Sequence, residues 1–500
     1  MNRLDLSTPW GITLALLPEC ILIAWSLVVL LVVSWRHETA EDSRLAGWLS
    51  FVGVLLSGAG LAALWVNGAA PDGLAQMIAL DPFRYAASAI ALLAAGGTIL
   101  LSLGYLEREQ LLAPEYYALI LFATAGMMFL GGAEDLIVLF LGLEVMSVAV
   151  YVLAGYNRAN AFSAEAALKY FLIGAFASGF LLYGIALVYG ATGTTSLSLA
   201  GAQLAGKPLP IMAALGLGLL LIGFGFKVAA VPFHMWAPDV YDGSPTPVTG
   251  FMATGVKAAA FAALVRVLME VFPSASGIWQ PIVAGLAIAS MVLGNLVALT
   301  QRSLKRMLAY SSIAHAGYLL VAVWPGTPAG AGSVVLYLLA YSLTTLASFG
   351  FLAALGRDGE RDVTLDDLAG LAATRPGMAL GLTVCMLSLL GFPGTFGFIG
   401  KWYILTAVVA QGHYILPVIL VLTSVVSAGY YLPVIMAMYM KPAPTAERYT
   451  ALRLAPAALG AVALAVVAVV LLGFWPERML EMAGQTGSTL TQTGVPFAGP

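Results

Sequence analysis

Glu144, Lys169, Lys227, Lys257, His315 and Lys401 are of the types that take up and give back protons, and each falls inside a long apolar run. An ionised group at the centre of a bilayer costs roughly 3 kcal/mol or more, so such residues face a protein interior, pair with one another and mark ion paths. Desolvation favours the neutral form of a buried lysine, and a nearby carboxylate favours the charged form. Lys227 with Glu144 as its partner therefore has two protonation states within reach. Lys257, His315 and Lys401 supply neighbours to which a proton can pass, and Ser147, Tyr151, Tyr310, Ser311 and Ser312 supply hydroxyls to hydrate the line. The chemistry implied is proton transfer across the middle of the protein. Bond-making chemistry finds no support: there is no Gly-rich phosphate loop, no Ser/His/Asp set and no metal-ligand spacing.

Blander readings stand beside these. Lys169 can simply snorkel or meet a helix C-terminus, and His315 can be a hydrogen-bonded core histidine. His234, beside Pro232 and Trp236 at the inner boundary, divides evenly between taking up protons there and interfacial packing. Asp239 and Asp242 read as capping or turn residues of the 232–245 loop. Arg266, near the outer end of its helix with Glu270 one turn on, reads as a snorkelling cation. Glu19 lies in the first turns of its helix, and neither it nor His413 has an assigned role.

The elements that must position these residues are membrane helices. In 500 residues, 61% are hydrophobic and 9% charged, more apolar sequence than one soluble core can bury. The apolar runs are about 20 residues long, the length of a helical span, and lack the period-two alternation of a membrane β-barrel. We count about 14 spans, the key ones near 134–155, 164–189, 210–231, 245–271, 305–324 and 375–407. The twelfth is too long for one straight helix, and its GFPGTFGFIG stretch predicts a break into two halves. The N-terminus reads as the first span rather than a removed signal peptide. Cys20 and Cys385 lie far apart in apolar runs, so no disulfide, zinc or iron–sulfur site is implied. With the N-terminus outside, inner loops hold thirteen Lys and Arg and outer segments hold four, Arg3, Arg84, Lys207 and Arg478. That bias places both termini on the outer side. The absence of transit-peptide character favours a bacterial plasma membrane.

The spacing Glu144 to Lys227 nearly matches His315 to Lys401, which suggests that spans 4–8 recur, inverted, as spans 9–13. The fold class is then an all-α polytopic membrane protein with two inverted five-helix repeats and broken helices 7 and 12. The divisions are 1–110 (three N-terminal helices), 111–272 (first unit), 273–441 (second unit) and 442–500 (last helix and tail). Strict inversion conflicts with Pro232 and Pro393 lying on the same side of their lysines. We therefore expect Pro232 only to kink a helix exit, with the GFGF stretch before Lys227 as the weak point.

The stretches GLEVMSVAVYVLAGY, AALKYFLIGAFASG, FKVAAVPFHMWAPDVYDGSPTPVTGFMATGVKAAAF, RMLAYSSIAHAGYLLV and GFPGTFGFIGKWYIL resemble, over roughly residues 80–440, the subunit N family of the proton-pumping NADH:quinone oxidoreductase, respiratory complex I. This family belongs with the antiporter-like subunits that also occur in multisubunit Na+/H+ antiporters. The APDVYDGSPTPVT wording favours subunit N over L or M. The resemblance implies that Glu144 and Lys227 form an ion pair of the input half, Lys169 modulates it, Lys257 bridges toward His315, and Lys401 is an outlet-side proton site. It also implies that this chain binds no redox cofactor: NAD, FMN, iron–sulfur clusters and quinone belong to partner subunits. Its partners would be other membrane subunits, including a neighbouring antiporter-like subunit and small K/J-type subunits, within the lipid bilayer. Two other readings remain: a subunit of a cation/proton antiporter, and a non-pumping assembly subunit whose buried charges fix helix register.

Overall fold

The structure is a computed structural model and describes residues 9–35, 39–67, 77–111, 114–356, 363–442 and 455–490. Among these residues the chain is helical apart from loops and three isolated bridges such as that of Asp135 with Ser196. Ten helices are long and apolar enough to cross a membrane, and four shorter apolar helices accompany them: Glu115–Gly131, Ile211–Lys227, Pro376–Leu390 and Phe396–Val409. The count of fourteen does not map simply onto this set. The twelfth expected span is the last two short pieces, and Leu304–Val323, which carries Lys305, Arg306 and His315, is not among the ten. The N-terminal run divides at Leu16, and an amphipathic helix, Glu477–Thr489, follows the last span.

Burial orders the helices. Thr246–Glu270 is buried along its whole length and Pro328–Leu355 almost so, whereas Ala161–Thr192 and Ile415–Met440 turn apolar faces outward. The two central helices carry Lys257, Tyr337 and Tyr341, so these polar groups sit where the protein excludes both lipid and water. Helix starts are set by side-chain caps that satisfy free amides. Asp135 accepts from Ile137 N at 2.8 Å, Asn160 from Phe162 N at 2.9 Å and Ser303 from Arg306 N at 3.3 Å. These caps open the helices of Glu144, Lys169 and His315.

Two helical hairpins are crossed in the same way. A Cβ on Gly126 would lie 2.5 Å from Met146 N and one on Gly142 2.7 Å from Leu130 N, so Glu115–Gly131 and Leu136–Ala154 meet backbone to backbone. In the second hairpin a Cβ on Gly294 would lie 2.7 Å from Ala314 N and one on Gly317 2.8 Å from Met291 N. Small residues allow this approach, which suits helices that must pack without a hydrophobic driving force. Gly142 is two residues from Glu144 and Gly317 two from His315, so the crossings position both titratable groups. Gly142→Val is expected to destabilise the chain by about 1–3 kcal/mol through overpacking, read as a lower unfolding temperature of the purified protein.

Both helix breaks are present, one of them away from the expected place. Pro376–Leu390 ends at Gly391 (φ 88°), and Phe396–Val409 begins after Pro393 and Gly394 (φ 86°). In the first unit the expected weak point is wrong. Gly223–Phe226 is helical and buried, and the helix ends at Lys227, with residues 228–236 around the cis Val231–Pro232 bond forming the break. The glycines of this stretch are contact points instead: a Cβ on Gly223 would meet Leu181 and one on Gly225 the Phe233 ring. The break is held by Val231 N donating to Ser290 Oγ at 2.9 Å and Trp236 Nε1 donating to the Phe226 carbonyl at 3.0 Å.

Candidate functional site: a buried row of lysines, hydroxyls and a histidine

Lys227 is the last residue of its half-helix and is 3% exposed. Its Nζ donates to Ser147 Oγ at 2.6 Å and to Tyr151 OH at 3.2 Å, and lies 5.3 Å from the centre of the Tyr151 ring. Ser147 and Tyr151 share a helix face with Glu144, at i+3 and i+7. The expected ion pair is not closed: the hydroxyls take the ammonium, and Glu144 Oε1 is buried without a hydrogen-bond partner. A single turn of helix separates the carboxylate from the group that holds Lys227.

Lys257 follows a π-helical turn, Met252–Val256, which the sequence does not announce and which re-aims the following residue. Its Nζ donates to the Ser312 carbonyl at 2.6 Å and to Ser312 Oγ, and lies 5.6 Å from the Tyr341 ring centre. His315 stands one turn beyond Ser312. Its Nδ1 bonds Tyr337 OH at 2.7 Å and its Nε2 bonds Tyr431 OH at 3.2 Å, while Tyr431 also bonds Ser311. One ring nitrogen donates and the other accepts, so both are satisfied, and by groups that themselves carry protons. Tyr431→Phe leaves His315 Nε2 and Ser311 without this partner. It is expected to cost about 1 kcal/mol, seen as earlier thermal unfolding.

Lys401 closes the row. Its Nζ donates to the carbonyls of Leu389 (3.0 Å) and Leu390 (2.9 Å) and to Ser424 Oγ (3.1 Å). Those carbonyls end the half-helix Pro376–Leu390, where the break leaves them without helical partners and where the helix dipole favours a cation. Aromatic rings link the stations: Lys401 Nζ lies 4.7 Å from the Tyr318 ring, and His315 lies 5.3 Å from Tyr318 and 5.0 Å from Tyr341. Of the hydroxyls expected to line the row, Ser147, Tyr151, Ser311 and Ser312 do so, while Tyr310 is half-buried on a different face.

Several charged residues lie elsewhere than expected. Lys169 is 40% exposed and pairs with Glu165 at 2.6 Å and Asp239 at 2.9 Å. Asp239 and Asp242 are ion-pair residues rather than turn caps: Asp239 also meets Arg306 at 2.8 Å, and Asp242 accepts from Ser303 at 3.1 Å. His234 is half-buried in the break, five residues before Asp239. Arg266 does not snorkel. It is 1% exposed and meets Asp81 (2.9 Å), Glu134 (2.7 Å) and Glu270 (2.9 Å). Arg84, counted above as an outer cation, is fully buried against Glu19 at 2.8 Å. Only the Arg266–Glu270 spacing signals any of this; Asp81 and Glu134 arrive from other loops.

Residues 133–427 match the transmembrane family described as NADH:quinone oxidoreductase/Mrp antiporter. NADH-quinone oxidoreductase subunit N of Gemmatimonas aurantiaca is 44% identical, covering 99% of this chain and 97% of the relative. That of Trichlorobacter lovleyi is 45% identical over 85% of this chain and 87% of its own length. Among solved structures, a chain of respiratory complex I from Thermus thermophilus with bound aureothin superposes with a TM-score of 0.78 at 38% identity, covering 93% of this chain and 99% of that one. A chain of the Mrp complex from Dietzia shares the fold, with a TM-score of 0.82 at 22% identity over 96% of this chain and 98% of that one. The chain is a multi-pass membrane protein that belongs to the subunit N family of the NADH-quinone oxidoreductases.

Proposed function

We propose that the chain is a membrane-arm subunit of respiratory complex I that translocates protons, driven by NADH:quinone electron transfer in other subunits. The observation that carries this reading is the buried row itself: three lysines and a histidine, each held by hydroxyls or carbonyls in the middle of a helical bundle. Such groups are costly there and are retained where ions pass. Glu144 lies one turn from Ser147 and two from Tyr151, whose hydroxyls hold Lys227, so a change in its surroundings alters the affinity of Lys227 for its proton. The proton then has Lys257, His315 and Lys401 as successive stations, with the tyrosine hydroxyls between them. His234, in the break on the inner side, is the group placed to take protons up.

The two glycine-crossed hairpins and the two broken helices support a division into two inverted units, 111–272 and 273–441, flanked by the N-terminal helices 1–110 and the C-terminal segment 442–500. NAD, FMN, iron–sulfur clusters and quinone then belong to partner subunits. The partners are a neighbouring antiporter-like subunit and small K/J-type subunits in a bacterial inner membrane, with both termini outside. The test is NADH-driven proton uptake by inverted vesicles carrying the assembled complex in sodium-free medium. Uptake that is lost when this subunit is deleted from otherwise NADH-oxidising membranes supports the reading. Sodium-dependent proton movement without NADH overturns it in favour of an antiporter.

A further inference from the structure

The half-helix Ala237–Gly243 follows the break beyond Lys227 and is gripped from both sides. One oxygen of Asp239, Oδ2, accepts from Lys169 at 2.9 Å, and the other, Oδ1, meets Arg306 at 2.8 Å. Lys169 belongs to a helix of the first unit and Arg306 to one of the second, so a single carboxylate ties the half-helix to both. Asp242 stands near Arg306 at 3.7 Å, and Lys305 Nζ donates to the Ser244 carbonyl at 2.5 Å. Glu165 completes the charged groups around Lys169, at 2.6 Å.

An aromatic residue follows Lys169 directly, Tyr170, and another stands three residues before Asp239, Trp236. Tyr170 stacks on Trp236 with centroids 4.5 Å apart and planes 10° apart. Trp236 lies 5.1 Å from Phe226, and Tyr170 lies 4.7 Å from Tyr151, the tyrosine whose hydroxyl holds Lys227. Trp236 and Tyr170 are buried, so these rings form an apolar plug beside Lys227, and Trp236 lies in the same break as His234, two residues on. The ion pair and the stack both run from the helix Ala161–Thr192 to the half-helix Ala237–Gly243, the stack at the residue that caps its start and the ion pair one turn on.

We propose that Asp239 is a positioning residue for proton transfer: paired with Lys169, it latches the half-helix 237–243 so that the Tyr170/Trp236 plug separates Lys227 from the inner water. The inference rests on the proposed function and adds a residue that the resemblance does not supply. A half-exposed ion pair contributes little to stability by itself, which suits a contact that opens and closes in each turnover. Arg306 on the second oxygen makes the position of the latch depend on the second unit as well.

The assembled complex in inverted vesicles tests this with D239N, K169M, the double variant D239N/K169M and D239E. Each single loss is expected to lower protons moved per NADH by about twofold or more while NADH oxidation continues. The double variant is expected to be no worse than either single one, because interaction partners are not additive. D239E restores the ratio. Faster amide hydrogen exchange confined to residues 228–236 in D239N is the matching local readout. An unchanged ratio in D239N, additive losses in the double variant, or lower complex yield at a normal ratio would each overturn the latch. If D239N fails to assemble, K169M, on a half-exposed side chain, decides by the same ratio and exchange. Lys227→Ala separates the two ideas: intact pumping there removes the function itself, whereas lost pumping there with a normal D239N ratio removes only the latch.

Discussion

Replacing Lys227 by alanine in the assembled complex is expected to reduce proton uptake through this subunit to background. The ammonium is buried, held at 2.6 Å by Ser147 and 3.2 Å by Tyr151. Alanine removes the proposed proton carrier and leaves the hydroxyls facing a cavity. Arginine sharpens the test, because a guanidinium keeps the charge but does not release its proton in a protein. If Lys227 only fixes helix register, Lys227→Arg retains function. If it passes protons, Lys227→Arg fails as fully as Lys227→Ala. Proton uptake and NADH:quinone turnover measured on the same vesicles decide between these, and full pumping in either variant would sink the role assigned to Lys227.

Arg266→Leu is the second large effect, and it concerns assembly rather than transport. The guanidinium gathers Asp81, Glu134 and Glu270 from three elements, each within 2.9 Å. Leucine matches much of the volume but leaves three carboxylates facing one another, two of them with side chains less than a fifth exposed and the third, Glu270, at 1%. Removing one partner of a buried ionic group costs about 3–5 kcal/mol, because the remaining charge is uncompensated. The expected result is a steep fall in the yield of assembled complex and a lower unfolding temperature. Adding Glu270→Gln to Arg266→Leu relieves one uncompensated charge and is expected to recover part of the loss. A stable, normally assembled Arg266→Leu complex would show that this network is dispensable.

Much of the fold is legible in the sequence, because a bilayer makes the signal strong: apolar runs of spanning length, Gly/Pro interruptions, and rare charges that stand out against them. GFPGTFGFIG marks the second break, since Gly391 and Gly394 adopt a left-handed backbone and Pro393 cannot continue a helix. The first break lies at 228–236 and not at GFGF for the same kind of reason. Glycine is read as a weak point, yet Gly223 and Gly225 serve close packing against Leu181 and Phe233, which only the three-dimensional neighbours reveal. The row Lys227, Lys257, His315 and Lys401 could be picked out by residue type. Its hydrogen-bond partners could not, because the Leu389 and Leu390 carbonyls and the Ser312 carbonyl carry no sequence signature. Charge pairs between helices far apart in the sequence, such as Glu19 with Arg84, are hidden likewise: pairing is a property of the fold, and each residue alone reads as a helix-end charge.

Lys401 rests on the two carbonyls exposed where its own span is interrupted. Every amino acid brings the same carbonyl to positions 389 and 390, so no ordinary substitution there can delete the acceptor. The cradle is written in the shape of the chain, whereas the occupant at 401 is written in a single codon. Anyone wishing to retune this station therefore has one side chain to exchange against a fixed electrostatic socket, and a mutational scan of residues 389 and 390 would report packing alone.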